Sequence, residues 1–203
     1  MGHLEIEVKF YLKDIESMRR SLLELGGESR GRVFETNVRY EDHDNTLKQK
    51  KTLLRLRQDN KTTLTVKSRP IVNNREFKVF NELEVEVDDL ATMGQILEAL
   101  GFHPEQKYEK WRETLILDQT GFFLDKLPYG DFLEIEGQPQ DIKSCARRLG
   151  LQWHKRIRLN YLEIFEIIIK KLNLNIRDLT FKNFDKVSVD MAAFLEMLEA
   201  GHG

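Results

Sequence analysis

Strict alternation is the feature that most constrains this chain. Leu4-Glu5-Ile6-Glu7-Val8-Lys9-Phe10 puts Leu4, Ile6, Val8 and Phe10 on one side and Glu5, Glu7 and Lys9 on the other. That is the period of a strand with two unlike faces. The pattern recurs. Arg55 and Arg57 share a face, as do Thr63, Thr65 and Lys67, then Glu82, Glu84 and Glu86, then Glu134 and Glu136. A single such strand suits a solvated surface. A set of them, with both signs of charge, describes a sheet with an apolar side and an ionic side.

Helices interrupt these strands. Asp14 reads as an N-cap for Ile15, Met18, Leu22 and Leu25, with Gly26-Gly27 as the stop. Asp89 reads the same way for Leu90, Met93, Leu97 and Leu100, with Gly101 as the stop. Asp141 is expected to start a third helix ending at Leu149-Gly150. A Glu-x-Glu strand leading to an Asp-capped helix ending in Leu-Gly therefore occurs three times, a hint of duplicated units. Asp59-Asn60 marks a hairpin, and Pro70 to Asn74 reads as a loop. Other strands are expected over residues 32–41, 77–87, 108–117, 122–127 and 132–136. A fourth helix is expected from Leu159, then irregular chain from Asn173 to Asp185, then a last helix over Val187 to Glu199. Residues 1–172 form the main unit and 173–203 an appendage.

Hairpin-linked strands with interspersed helices favour an antiparallel α+β fold. If the sheet closes, alternate residues point in and out. Each helix has an apolar stripe that needs a partner, and the aliphatic strand faces supply one. The ions then fall in the lumen, where unpaired charges are penalised. A ligand needing both signs at once relieves that penalty: a polyphosphate with a divalent metal. Clustered carboxylates offer hard oxygens for Mg²⁺ or Mn²⁺. Arginine grips phosphate bidentately and lysine acts as a point charge.

Composition excludes other classes. The net charge is −2, from 32 basic and 34 acidic residues, so no broad cationic field points to nucleic acid. The single cysteine, Cys145, forms no intrachain disulfide and reads as structural; a reducing compartment fits. No long apolar run suggests a membrane span, no signal-like segment precedes the first strand, and a cytoplasmic location is expected. The five histidines show no zinc spacing. Neither a phosphate-binding glycine loop nor a Ser/Cys nucleophile elbow is present.

Glu5-Ile-Glu7-Val-Lys9 resembles the Glu-x-Glu-x-Lys signature of the CYTH superfamily, the triphosphate tunnel metalloenzymes that include class IV adenylyl cyclases and thiamine triphosphatases. The resemblance continues through Leu54-Arg55-Leu56-Arg57, Leu64-Thr65-Val66-Lys67, Glu82 to Glu86, Lys110-Trp-Arg112, Leu124-Asp125 and Phe132-Leu-Glu134-Ile-Glu136, over roughly residues 4–165. It implies an eight-stranded antiparallel β-barrel, or tunnel, with flanking helices and a C-terminal helical appendage. It implies metal ligation by Glu5, Glu7, Asp125, Glu134 and Glu136. Phosphate would be held by Lys9, Arg55, Arg57, Lys67, Lys110 and Arg112, with Glu82 and Glu84 in support. Lys9, Lys67 and Tyr40 would be catalytic, Tyr40 tuning Lys67 as a base. Lys155 and Arg156 would supply a late basic contact or a solvated turn.

Three functions remain open at this level. One is hydrolysis of inorganic triphosphate, thiamine triphosphate or a nucleoside triphosphate. Another is conversion of ATP to cyclic AMP and pyrophosphate. The third is polyphosphate binding without turnover. The expected partner is a small triphosphate, with no nucleic acid or membrane, and the protein is expected as a monomer or homodimer.

Overall fold

The structure is a computed structural model, and it describes residues 3–70, 74 and 76–200. Eight strands alternate with helices: β1 (His3–Leu12), β2 (Glu28–Asp42), β3 (Thr52–Gln58), β4 (Thr62–Ser68), β5 (Lys78–Val87), β6 (Phe102–Leu117), β7 (Thr120–Leu127) and β8 (Gly130–Glu136). They pair antiparallel in the order β1-β5-β4-β3-β2-β6-β7-β8, and β8 returns to β1. The sheet is thus a closed ring, which leaves no edge strand to be covered. The hairpin at Asp59-Asn60 joins β3 to β4 as expected. The loop read at Pro70 to Asn74 falls mostly on residues 71–73, outside the described residues.

Helices cover the outer face. Helix α1 (Ile15–Glu24) begins where Asp14 accepts a hydrogen bond from the Ser17 amide. Helix α3 (Leu90–Ala99) begins in the same way at Asp89 and Thr92. Helix α4 (Pro139–Arg148) departs from the expectation. Its N-cap is Gln138, and Asp141 lies inside the first turn. Pro139 needs no amide partner and its fixed φ suits the first helical position, so the helix starts ahead of the aspartate. The third instance of the repeated pattern therefore differs from the other two.

Under α1 and α4, Val8, Phe10, Leu22, Leu115, Phe122, Leu133, Ile135, Ile142 and Cys145 form one core. Under α3, Tyr40, Leu54, Leu56 and Leu97 form another. Aliphatic strand faces meet helices, and the charged faces turn inward. A single-turn helix α2 (Thr46–Gln49) lies between β2 and β3. Strands β2 and β6 begin earlier than the sequence suggested. Gly31, at φ +98°, accommodates a bulge in β2, and the start of β6 pairs with the far end of β2 through Asp42–Phe102.

The interior changes character along the ring axis. Tyr11 shares a face with Lys9, Leu127 with Asp125, and Phe132 with Glu134, so one end of the lumen is apolar. Helix α5 (Tyr161–Lys171) fills it, opened by a reciprocal cap between Asn160 and Glu163. Tyr161, Ile164, Phe165 and Ile168 pack with Tyr129 and Phe132. The last segment closes over them with Leu179, Phe184, Met191, Phe194 and Leu198. The single helix expected over Val187 to Glu199 is instead a 3₁₀ turn at Met191–Ala193 followed by a short helix α6 (Leu195–Leu198). Asp190 caps the turn, and the Ala200 amide donates to the Arg156 carbonyl, so this chain follows the surface of α5 and does not run straight.

Phe165 is fully buried in this plug. Phe165→Ala is expected to cost about 3–5 kcal/mol in chemical denaturation. A loss below about 1 kcal/mol would mean that the plug adds little to the fold.

Candidate functional site

Cross-strand register places opposite charges face to face inside the ring. Lys9 lies across from Glu134, Glu7 from Lys78, Lys67 from Glu82, Lys110 from Glu35, and Arg112 from Asp125. Each pair stabilises the strand contact and fixes a charge in the lumen. A cavity of about 1010 Å³ occupies this space. Glu5, Glu7, Lys9, Arg55, Arg57, Lys67, Glu82, Glu84, Lys110, Arg112, Glu134 and Glu136 line it, so the structure brings together twelve of the residues expected from the sequence.

Two expected residues stand elsewhere. Tyr40 is on the outer face, packed with Leu54, Leu56 and Leu97 beneath α3. Along β2 it alternates with Arg39 and Glu41, and it is Arg39 that lines the cavity. Strand parity thus removes Tyr40 from any work on Lys67. Asp125 is fully buried behind the cavity wall. Its carboxylate accepts hydrogen bonds from Lys110 Nζ at 3.1 Å, Arg112 Nε at 2.7 Å and Tyr161 Oη at 2.7 Å. With Arg112 Nη2 as a fourth donor at 2.5 Å, its acceptor positions are filled, so Asp125 anchors Lys110, Arg112 and Tyr161 and has no lone pair left for a metal. Arg156 donates to the Trp153 and Glu76 carbonyls and is also away from the cavity.

Other lumen residues escaped the sequence reading: Glu35, Asn37, Arg39, Lys78, Tyr108 and Tyr161. Alternation along β2 could have found Glu35, Asn37 and Arg39, and alternation along β5 could have found Lys78. Tyr161 has no such signal, because it enters from α5.

The electrostatics fall into two zones. Near the plug, Lys9 and Arg112 both donate to Glu134, and Arg112 also binds Asp125. Burial opposes ionisation of Glu134, but Lys9, Arg112 and Lys110 hold it well below the usual carboxylate range. Burial likewise opposes ionisation of Glu35, which Lys110, Arg112, Arg57 and Arg55 nevertheless hold at about 2. Lys9 sits 4.0 Å from the centre of the Tyr161 ring. Burial, with Asp125 and Glu134 nearby, raises the Tyr161 phenol well above its ordinary value. The other zone is acidic. Lys67 Nζ donates to Glu5 at 2.6 Å, and Lys78 Nζ donates to Glu7 at 2.8 Å. Glu136 lies across from Glu7. Burial, followed by Glu5 and Glu7, pushes Glu136 up to about 7.

This crowding bears on metal binding. Among the described residues no three histidine, cysteine, aspartate or glutamate side chains converge as a metal centre. Glu5, Glu7 and Glu136 nonetheless form a patch of hard oxygen donors whose mutual repulsion a divalent cation would relieve. The donor chemistry fits Mg²⁺ or Mn²⁺, with Lys67 and Lys78 as the competing partners.

Comparison with known proteins supplies the relationship. A protein of Pyrococcus horikoshii OT3, PH1012, is 32% identical, with a TM-score of 0.66, over 78% of this chain and 98% of that one. An adenylate cyclase candidate from Vibrio parahaemolyticus is 19% identical, with a TM-score of 0.73, over 82% of this chain and 99% of that one. HpAC1 from Hippeastrum, an adenylyl cyclase candidate with a dominant triphosphatase activity, is 17% identical, with a TM-score of 0.60, over 82% of this chain and 96% of that one. Comparison with curated proteins gave no match. The CYTH domain family profile matches residues 3–159, which span the whole ring. The chain belongs to the CYTH domain family.

Proposed function

We propose that this protein is a divalent-metal-dependent phosphohydrolase that acts on a triphosphate held inside the ring. One observation carries the reading. The whole chain has a net charge of −2, yet basic residues outnumber acidic ones around the cavity. Two of those cations, Arg39 and Arg55, each bury an Nε with no hydrogen-bond partner in the protein, while Arg57 Nε has Asp59 Oδ2 at 3.4 Å. Buried unpaired donors call for acceptors. Phosphate oxygens are acceptors on every side.

The roles follow from the anchoring. Lys9, Lys110 and Arg112 are held by Glu134, Glu35 and Asp125, so they need not reorganise when phosphate charge arrives. Arg55 and Arg57 hold the opposite wall, tethered by Glu84 at 3.9 and 3.5 Å. Lys67, fixed by Glu5, presents a further positive charge at the acidic end. Glu5, Glu7 and Glu136 would hold the metal, with Glu134 beside them. When bound, Mg²⁺ or Mn²⁺ supplies Lewis acidity and charge neutralisation at phosphate oxygens. The basic side chains keep the triphosphate in line for attack by water. No covalent intermediate is required.

Hydrolysis is favoured over cyclisation by the aromatic rings of the cavity. Phe123 carries Arg112 at 4.5 Å, Phe80 carries Lys78 at 5.1 Å, and Tyr161 carries Lys9. These faces already stack on cations, so the grip is on phosphate more than on a base.

The deciding assay incubates the protein with inorganic triphosphate, thiamine triphosphate and ATP, each with Mg²⁺ or Mn²⁺, and follows phosphate, pyrophosphate and cyclic AMP. Phosphate release that stops with chelator is expected. Cyclic AMP as the main product from ATP would overturn the reading. In the same assay Arg57→Ala is expected to raise KM about 10- to 100-fold, in line with loss of a charge-assisted contact. An unchanged KM and rate would remove Arg57 from the phosphate site.

A further inference from the structure

The plugged end of the lumen holds three buried tyrosines, Tyr108, Tyr129 and Tyr161. Two of them spend their protons inside the protein. Tyr161 Oη donates to Asp125 at 2.7 Å, and Tyr129 Oη donates to the Tyr161 carbonyl at 2.9 Å. Tyr108 differs. Its oxygen accepts from Arg55 Nη1 at 3.4 Å, and among the described residues that is the one hydrogen bond its phenol makes. A guanidinium has no acceptor, so the Tyr108 O–H proton points away from Arg55. Tyr108 and Arg55 both line the cavity, which is where an acceptor can come from.

The residue is firmly held. Strand parity along β6 turns Tyr108 inward with Lys110 and Arg112. Its ring packs in the core of the plug and is 7% exposed. The last segment straps the strand on both sides of it. The Leu179 amide donates to the Lys107 carbonyl at 2.9 Å, and the Glu109 amide donates to the Leu179 carbonyl at 2.9 Å. Asp178 accepts from the Lys107 amide at 2.9 Å. Ring and backbone are both fixed, so the hydroxyl is placed before any ligand arrives.

Resting on the triphosphate reading, we infer that Tyr108 is a further substrate-binding residue, which donates its O–H to a phosphate oxygen at the plugged end beside Arg55. An ionised phosphate oxygen accepts and has no proton to give, which matches a phenol whose oxygen is already served by a cation. Arg55, by donating to that oxygen, polarises the O–H and strengthens it as a donor. A neutral donor also adds grip without another buried positive charge that needs a counter-ion. The segment beyond residues 3–159 then has a task in the site: Asp178 and Leu179 hold this donor in place.

Titration calorimetry with inorganic triphosphate in chelator, which prevents turnover, tests the contact on wild type, Tyr108→Phe and Thr65→Val. Tyr108→Phe keeps the ring and its packing. Thr65 is fully buried and its Oγ1 accepts from Arg55 Nη2 at 3.2 Å, so Thr65→Val removes a support of Arg55 and leaves Tyr108 intact. A direct contact gives about tenfold weaker binding for Tyr108→Phe, the scale of a lost hydrogen bond to a charged group, and less than about threefold for Thr65→Val. Thermal melts of Tyr108→Phe stay near wild type. Equal losses in the two variants would mean that Tyr108 acts only by steadying Arg55. Wild-type affinity in Tyr108→Phe would mean that its proton meets water, and a large fall in its melting temperature would make the hydroxyl structural. Each of these three results would overturn the inference. A wild type that does not bind triphosphate would instead overturn the triphosphate reading itself.

Discussion

Asp125→Ala is expected to lower the free energy of unfolding by about 3–5 kcal/mol and to abolish measurable triphosphate binding. The reason lies in what the aspartate holds. Lys110, Arg112 and Tyr161 all donate to its carboxylate, and its side chain has no solvent exposure. Removing it leaves a buried lysine and a half-buried arginine with one counter-charge fewer and a phenol without an acceptor. The cost is that of stranded charge, larger than the worth of the original pairs. Asp125→Asn separates charge from shape. It keeps a hydrogen-bond acceptor for Tyr161 and is expected to recover part of the stability but little of the binding. Chemical denaturation and calorimetry on both variants give the comparison. A loss below about 1 kcal/mol in the alanine variant would show that Lys110 and Arg112 rely on Glu35 and Glu134 instead.

Glu136→Gln is expected to cut triphosphate hydrolysis by about 10²- to 10³-fold, the scale of losing one preorganised electrostatic contact in a dry site. The same substitution has the opposite effect on stability in chelator. Burial and the nearby Glu5 and Glu7 raise Glu136 to about 7 from 4.5. The folded state thus binds this proton more tightly than the unfolded chain does. Stability falls as pH rises from about 4.5 to about 7 and stays low above that. Glutamine does not titrate. The variant is expected to match wild type near pH 4.5 and to exceed it by about 1–2 kcal/mol at pH 8, after allowance for partial solvent screening. Thermal melts at the two pH values test the sign. A variant less stable than wild type at pH 8 would show that Glu136 is paired with a cation, and undamaged hydrolysis would remove it from the metal patch.

Strand parity made most of the lumen readable in advance. Once Glu5, Glu7 and Lys9 were set opposite Val8 and Phe10, the helices required the apolar side and the charges had to face in. The same rule, applied through β2, would have corrected Tyr40, since Arg39 and Tyr40 cannot both face the cavity. Asp125 failed for another reason. Its parity is inward, but depth is a matter of what stacks above it, and the donors come from β6 and α5. Tyr161 and the apolar end of the lumen were illegible because an amphipathic helix shows a stripe, not its destination. Its Ile and Phe residues look the same against an outer sheet face as inside a ring. The break in the last helix was hidden for a related reason: its apolar residues answer to the curved surface of α5 as much as to each other.

The stopper formed by α5 and the last segment turns the ring from a pipe into a cul-de-sac. If the ligand is the proposed triphosphate, it could not be drawn through from end to end, and only its terminal portion would reach Lys9 and Arg112. On the proposed hydrolysis, a product formed there would have to leave by the route of its arrival, ahead of the next molecule, which would tie the pace of repeated turnover to how readily the blind end lets go.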